Sequence, residues 1–178
     1  MFPQGSVDRL EGFSATRERF LNAGLGRYQF IHIATHAIAD SDVPQASALL
    51  FSRFDNRAQE LDGRVLAADF INVQLNAQTV VLSACDTAMG KNISGEGLMG
   101  LRYVVLARGA RAVVASMWPV ADQVSAELMA RFYRTLLQEQ RRVGPALSDA
   151  MRVAITGRFK DPGLWAAYAL TVGDLDGI

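Results

Sequence analysis

Thr79-Val80-Val81-Leu82-Ser83-Ala84-Cys85-Asp86-Thr87 is the stretch on which the reading of this chain turns. From Thr79 to Leu82 it is apolar and mostly β-branched, and small and polar residues follow, a pattern that predicts a buried strand feeding an exposed turn. Open α/β sheets keep their sites at the carboxyl ends of strands. Cys85, the only cysteine in the chain, therefore falls where chemistry is expected. A lone cysteine also reads as a small buried hydrophobe, and the flanking sequence has to decide between the two.

Upstream, Ser14 and Thr16 precede Arg17-Glu18-Arg19-Phe20-Leu21, where a hydroxyl can satisfy a free amide at the start of a short helix running to about Ala23. Gly24 and Gly26 stop that helix. Phe30-Ile31-His32-Ile33-Ala34 predicts a second buried strand, which delivers Thr35 and His36 to its exit. Residues 37–47 read as a polar surface loop. Ala48 to Ser52 and the Asp62-Gly63 pair suggest a hairpin-like insertion before a short helix at about Leu66 to Ile71.

Downstream, Gly90, Gly95 and Gly97 mark a loop, and Leu98, Leu101 and Val105 then recur at helical spacing until Gly109. Ala112 to Ser116 is a further strand, and Asp122 can cap a long helix with the inner stripe Val124, Leu128, Phe132 and Leu136. Gly144-Pro145 restarts a helix carrying Leu147, Ala150, Met151 and Ala154, which Asp161-Pro162 ends, and Trp165 to Val172 supplies a last strand. About four or five strands alternating with helices imply a mostly parallel sheet covered on both faces.

The chain has 178 residues, half of them hydrophobic, which suits one domain with a real core. Eighteen basic residues balance eighteen acidic ones, so no net field favours nucleic acid or an anionic membrane surface. A single cysteine excludes an internal disulfide, and neither a membrane-length apolar run nor a signal-peptide layout at Met1 to Gly5 is visible. These features lead to the expectation of a reducing, cytoplasmic setting. Two histidines and one cysteine are too few soft ligands for a dedicated zinc site, and Gly90-Lys91 lacks the order of a phosphate loop, so no metal or other cofactor is expected. Gly90 to Gly97 is instead expected to be a substrate-side loop, with Glu96 favouring the start of the next helix.

His32 and His36 occupy one face of their strand by alternation, and only His36 stands at the exit. If the two strands are parallel neighbours, His36 and Cys85 emerge at one edge. An imidazole there can take the proton of a thiol and later pass it to a leaving amine, and as imidazolium it lowers the thiol's ordinary pKa of about 8.5. His32 is expected to be a packed histidine of the strand.

Ile31-His32-Ile33-Ala34-Thr35-His36-Ala37, Val81 to Thr87, Gly95-Glu96-Gly97-Leu98, Ala115-Ser116-Met117-Trp118-Pro119-Val120 and Leu164-Trp165-Ala166-Ala167-Tyr168 follow one another in an order that resembles CHAT domains. These are caspase-like domains of the clan that also holds separase, metacaspases and gingipains. From about Phe13 to Gly173, the resemblance covers nearly the whole chain. It implies an α/β fold, a caspase-like three-layer αβα sandwich with a mostly parallel sheet, and a cysteine endopeptidase in which Cys85 is the nucleophile and His36 the general base and acid. It also implies an oxyanion hole made by the backbone amides of Cys85 and Ala37, the latter glycine in many relatives. In separase an acidic residue four positions after the strand-end tryptophan lies in the pocket for a basic side chain. Asp122 matches that position and is expected to receive Arg or Lys on the amino side of the cleaved bond, while Asp86, next to the thiol, is counted with it among the substrate-binding residues.

Complete relatives usually carry further strands and helices ahead of the segment resembling Phe13 to Ala23. The chain, residues 1–178, is therefore expected to be one domain lacking the first strands, with an uncovered sheet edge. A missing amino-terminal segment, a helical-repeat partner or a second copy is expected to cover it, and a protein is the expected substrate. The other function implied is a CHAT-type interaction or regulatory module with little or no cleavage in this form.

Overall fold

A computed structural model describes residues 5–38, 40, 43–86, 99–157 and 159–173, with Pro44, Cys85, Asp86 and Met99 described by backbone alone. The elements in chain order are α1 (Arg17–Leu21), β1 (Phe30–Ile38), β2 (Ala48–Leu50), β3 (Arg64–Leu66), β4 (Thr79–Asp86), α2 (Met99–Ala107), β5 (Ala112–Ser116), α3 (Asp122–Leu137), α4 (Val143–Thr156), α5 (Pro162–Trp165) and β6 (Tyr168–Val172). Short 3₁₀ segments fill several connections, among them Ala67–Asn72. The strands form one sheet in the order β3-β2-β1-β4-β5-β6. Its centre, β1, β4 and β5, is parallel, while β2, β3 and β6 pair antiparallel at the two sides.

Local chemistry explains most boundaries. The Thr16 hydroxyl accepts a hydrogen bond from the Arg19 amide and starts α1, and Gly24, at φ +65°, supplies the left-handed residue beyond its end. Gly109, at φ +108°, sits so close to Leu75 that an added Cβ would lie 2.1 Å from the Leu75 carbonyl oxygen, so α2 can close only on a glycine here. Asp161 does not end α4 as expected. It begins the short α5, its carboxylate accepting from the Gly163 amide at 2.8 Å, with Pro162 in the first turn.

The sheet separates two apolar layers. On one face Ile31, Ile33, Val80, Leu82, Val113 and Ala115 pack with Phe20 of α1, Phe70, and Leu101 and Val105 of α2. The opposite face, with Val81, Ala112 and Val114, packs on Leu128, Phe132 and Leu136 of α3 and on Leu147 and Ala150 of α4. Each of the Val, Ile, Leu and Phe side chains among them, removed from water, contributes about 1.5–3 kcal/mol. The result is a caspase-like α/β sandwich, the architecture the motifs imply. One region stands apart: the face of β1 that carries His32, Ala34 and His36 is exposed. The helices on that side lie mainly over β4, β5 and β6 and reach only the start of β1, where Phe30 and His32 meet α3.

Two strands are longer than their apolar runs predict. β1 continues past Ala34 to Ile38, because β2 hydrogen-bonds its last residues, with His36 opposite Leu50 and Ile38 opposite Ala48. β4 continues past Leu82 to Asp86 because β1 pairs with it throughout. His36 and Cys85 thus stand inside the last rungs of the sheet rather than on turns beyond it.

Candidate active site

The parallel ladder between β1 and β4 runs from Phe30 opposite Thr79 to Ala37 opposite Asp86, and in that register His36 is the partner of Cys85. Adjacent strands lie about 4.8 Å apart, so the two residues occupy neighbouring positions on the sheet, one rung from the end of the ladder. The imidazole of His36 is exposed. Because β5 is parallel to β4, its exit at Ser116, followed by Met117 and Trp118, lies at the same rim. Met117, Trp118 and Ile38 are exposed there and give the rim an apolar margin. The Trp118 indole donates to the Gly163 carbonyl at 2.9 Å, which ties the rim to α5.

Several contacts hold the strand ends. The Thr35 hydroxyl, next to His36, donates to the Leu50 carbonyl of β2. The Ser83 hydroxyl and the phenol of Tyr168 are 2.6 Å apart, and the Ser116 hydroxyl donates to the Ala84 carbonyl at 3.0 Å. Nothing local in the sequence marks Ser83, Ser116 or Tyr168 for these contacts, since each depends on strand register.

Ala37 is fully buried, and both it and Cys85 belong to the ladder. Asp122 is the first residue of α3 rather than its cap. Ala121 occupies the capping position and makes no side-chain capping bond, which leaves Asp122 in the first turn, where a carboxylate favours the helix dipole. Its side chain is exposed, five positions beyond Met117 on the segment that leaves β5. His32 lies under the rim, its ring centroid 5.6 Å from that of Tyr133 on α3. It keeps an open side, yet the protein crowding its other sides removes enough solvation to push its pKa down to about 4, so it is neutral at pH 7. The same crowding raises the Tyr133 phenol. The glycine loop of residues 87–98, with Thr87 and Glu96, lies outside the described residues.

A groove of about 1050 Å³ lies away from the rim, along the first half of β1, lined by Leu10, Phe13, Phe20, Ile31, Ile33 and Phe51 among others. Here β1 has a ladder partner on one side only, since β2 pairs with just His36 to Ile38. Among the described residues, no three His, Cys, Asp or Glu side chains gather as a metal site, and no helix is long and apolar enough to cross a membrane.

Among known families, the model of the CHAT domain matches residues 1–174. The chain belongs to the CHAT domain family. Tetratricopeptide repeat protein 28 of mouse is 33% identical to this CHAT chain over 110 residues, which is 61% of the chain and 4% of that protein. The human protein of the same name gives the same identity and coverage. The chain thus spans only a small part of the length of these curated relatives.

Proposed function

We propose that this CHAT chain is a cysteine endopeptidase, or the catalytic portion of one, acting on protein substrates through Cys85 and His36. The observation that carries this is the pairing of His36 with Cys85 at the rim of the parallel strands. His36 takes the thiol proton, the thiolate attacks the scissile carbonyl, and the imidazolium returns the proton to the leaving amine. The amides of Cys85 and Ala37 stabilise the oxyanion. Because the ladder continues through Ala37 and Asp86, the substrate oxygen competes with strand carbonyls for these amides, and the hole forms as substrate binds.

The basic-residue pocket rests on Asp122. Its carboxylate is exposed and is not the cap of α3, so it is available to a guanidinium or ammonium group through a charge-assisted hydrogen bond. Asp86, which follows Cys85 in the chain, is proposed with Asp122 as a substrate-binding residue. A panel of fluorogenic peptides ending in Arg, Lys, Asp or Asn tests it: Arg and Lys are cleaved fastest, whereas a preference for Asp or Asn defeats the basic pocket. Covalent labelling by a peptidyl acyloxymethyl ketone tests the dyad, and disappears in Cys85→Ala and His36→Ala.

The relatives named as tetratricopeptide repeat proteins favour a second function, an interaction or regulatory module that works beside a helical-repeat partner with little cleavage of its own. Absence of labelling together with retained binding of such a partner supports it. For either function the half-paired length of β1 is the edge to be covered, by an amino-terminal segment, a repeat partner or a second copy.

A further inference from the structure

We propose that Ser116 is a positioning residue for Cys85, setting the orientation of the peptide unit from which the nucleophile projects. This rests on the peptidase function proposed above.

The rungs between β4 and β5 run from Val80 opposite Val113 to Leu82 opposite Ala115, and stop there. The peptide units that lead on to Cys85 therefore receive no ladder bond from β5. In place of the next rung, the buried Ser116 side chain donates to the Ala84 carbonyl at 3.0 Å. Ser116 is itself fixed, because its backbone pairs with Tyr168 of β6. The Ala84 carbonyl and the Cys85 amide are the two ends of one planar trans unit. Holding the carbonyl toward β5 aims the amide the opposite way, toward β1 and the residues His36 and Ala37.

This direction is the one the chemistry needs. During reaction the acyl oxygen replaces a strand carbonyl as the acceptor of the Cys85 amide, and the ladder bond that kept the unit in plane is lost at that moment. The bond from Ser116 acts on the far end of the unit and persists. Polarisation of the carbonyl by a hydroxyl also strengthens the amide as a donor. Ser116 acts through the Ala84 carbonyl, so its effect falls on the rate of the chemical step and not on binding.

Because Cys85 is the sole cysteine, the test is unambiguous. In the full chain, kcat and KM are measured with whichever fluorogenic peptide of the Arg, Lys, Asp and Asn panel is cleaved fastest, and alkylation of Cys85 by iodoacetamide is measured in parallel. Ser116→Ala is expected to lower kcat by about 10- to 100-fold, the scale of a misplaced reacting group, with KM and the iodoacetamide rate within about twofold. Ser116→Thr, which keeps the hydroxyl, restores most of kcat. Leu136→Ala, a cavity at the far end of α3, leaves kcat near its original value when assayed well below its melting temperature. Should Ser116→Ala fail to fold, Ser116→Gly leaves room for water at the Ala84 carbonyl and is expected to show the same fall in kcat. An unchanged kcat in both Ser116→Ala and Ser116→Gly, or an equal loss in Leu136→Ala, overturns the positioning role while leaving the peptidase intact. No Cys85-dependent turnover by the unsubstituted chain overturns the peptidase, and the role of Ser116 with it.

Discussion

His32 and His36 are four residues apart on one strand face and differ in what surrounds them. His36 stands at the rim, exposed; His32 is crowded beside Tyr133 and titrates near 4. The ordinary value for histidine is about 6.5. Between these values the unfolded chain binds more protons than the folded one, so the stability tied to neutral His32 is intact above about pH 6.5 and is lost as the pH falls toward 4. Urea unfolding across that window should show declining stability, and His32→Phe should flatten the decline. An unchanged pH slope in the variant would contradict the crowding of His32. At Asp122, replacement by Asn keeps the shape and removes the charge. It should lower kcat/KM for Arg and Lys peptides by about 10- to 100-fold, the worth of a charge-assisted bond, and leave other peptides nearly unaffected.

At the scale of elements, the α3 stripe is the part written most openly in the sequence: Val124, Leu128, Phe132 and Leu136 recur at helical spacing, and all four are buried. Leu128→Ala should cost about 2–5 kcal/mol in chemical denaturation, since the sheet cannot collapse into the space left. Gly109→Ala should destabilise at least as much as an ordinary core change, because the added Cβ meets the Leu75 carbonyl and φ is +108°. An effect below about 0.5 kcal/mol, the range of ordinary surface changes, would contradict that close approach. Strand lengths were less legible. Ser83, Ala84 and Cys85 have the composition of a turn, but β1 holds them in the ladder. Residues 37 and 38 read as loop until β2 is known to lie opposite. Asp122 differs from the expected cap by one position, because Ala121, at φ −58° and ψ 136°, is the last non-helical residue before α3. Local patterns report burial and period, whereas register and hydrogen bonding across strands are set by residues far away in the chain.

At the scale of the molecule, the ordered motifs suffice for the architecture, since parallel strands joined by crossovers leave few other topologies. What they leave out is the uneven dressing of the sheet: both faces of β5, and of β4 from Thr79 to Leu82, are buried, while one face of β1 and much of its outer side are open. Such an edge recruits other strands. Light scattering of the full chain should show self-association, and a clean monomer across the micromolar range would count against a second copy as its cover. The central claim is that neighbouring rungs of β1 and β4 present a working nucleophile and base. The direct measurement is covalent capture of Cys85 by a peptidyl acyloxymethyl ketone, read by mass spectrometry in the unsubstituted chain and in His36→Ala. Stoichiometric modification that vanishes with His36 is the expected result; no modification, or modification indifferent to His36, would contradict it.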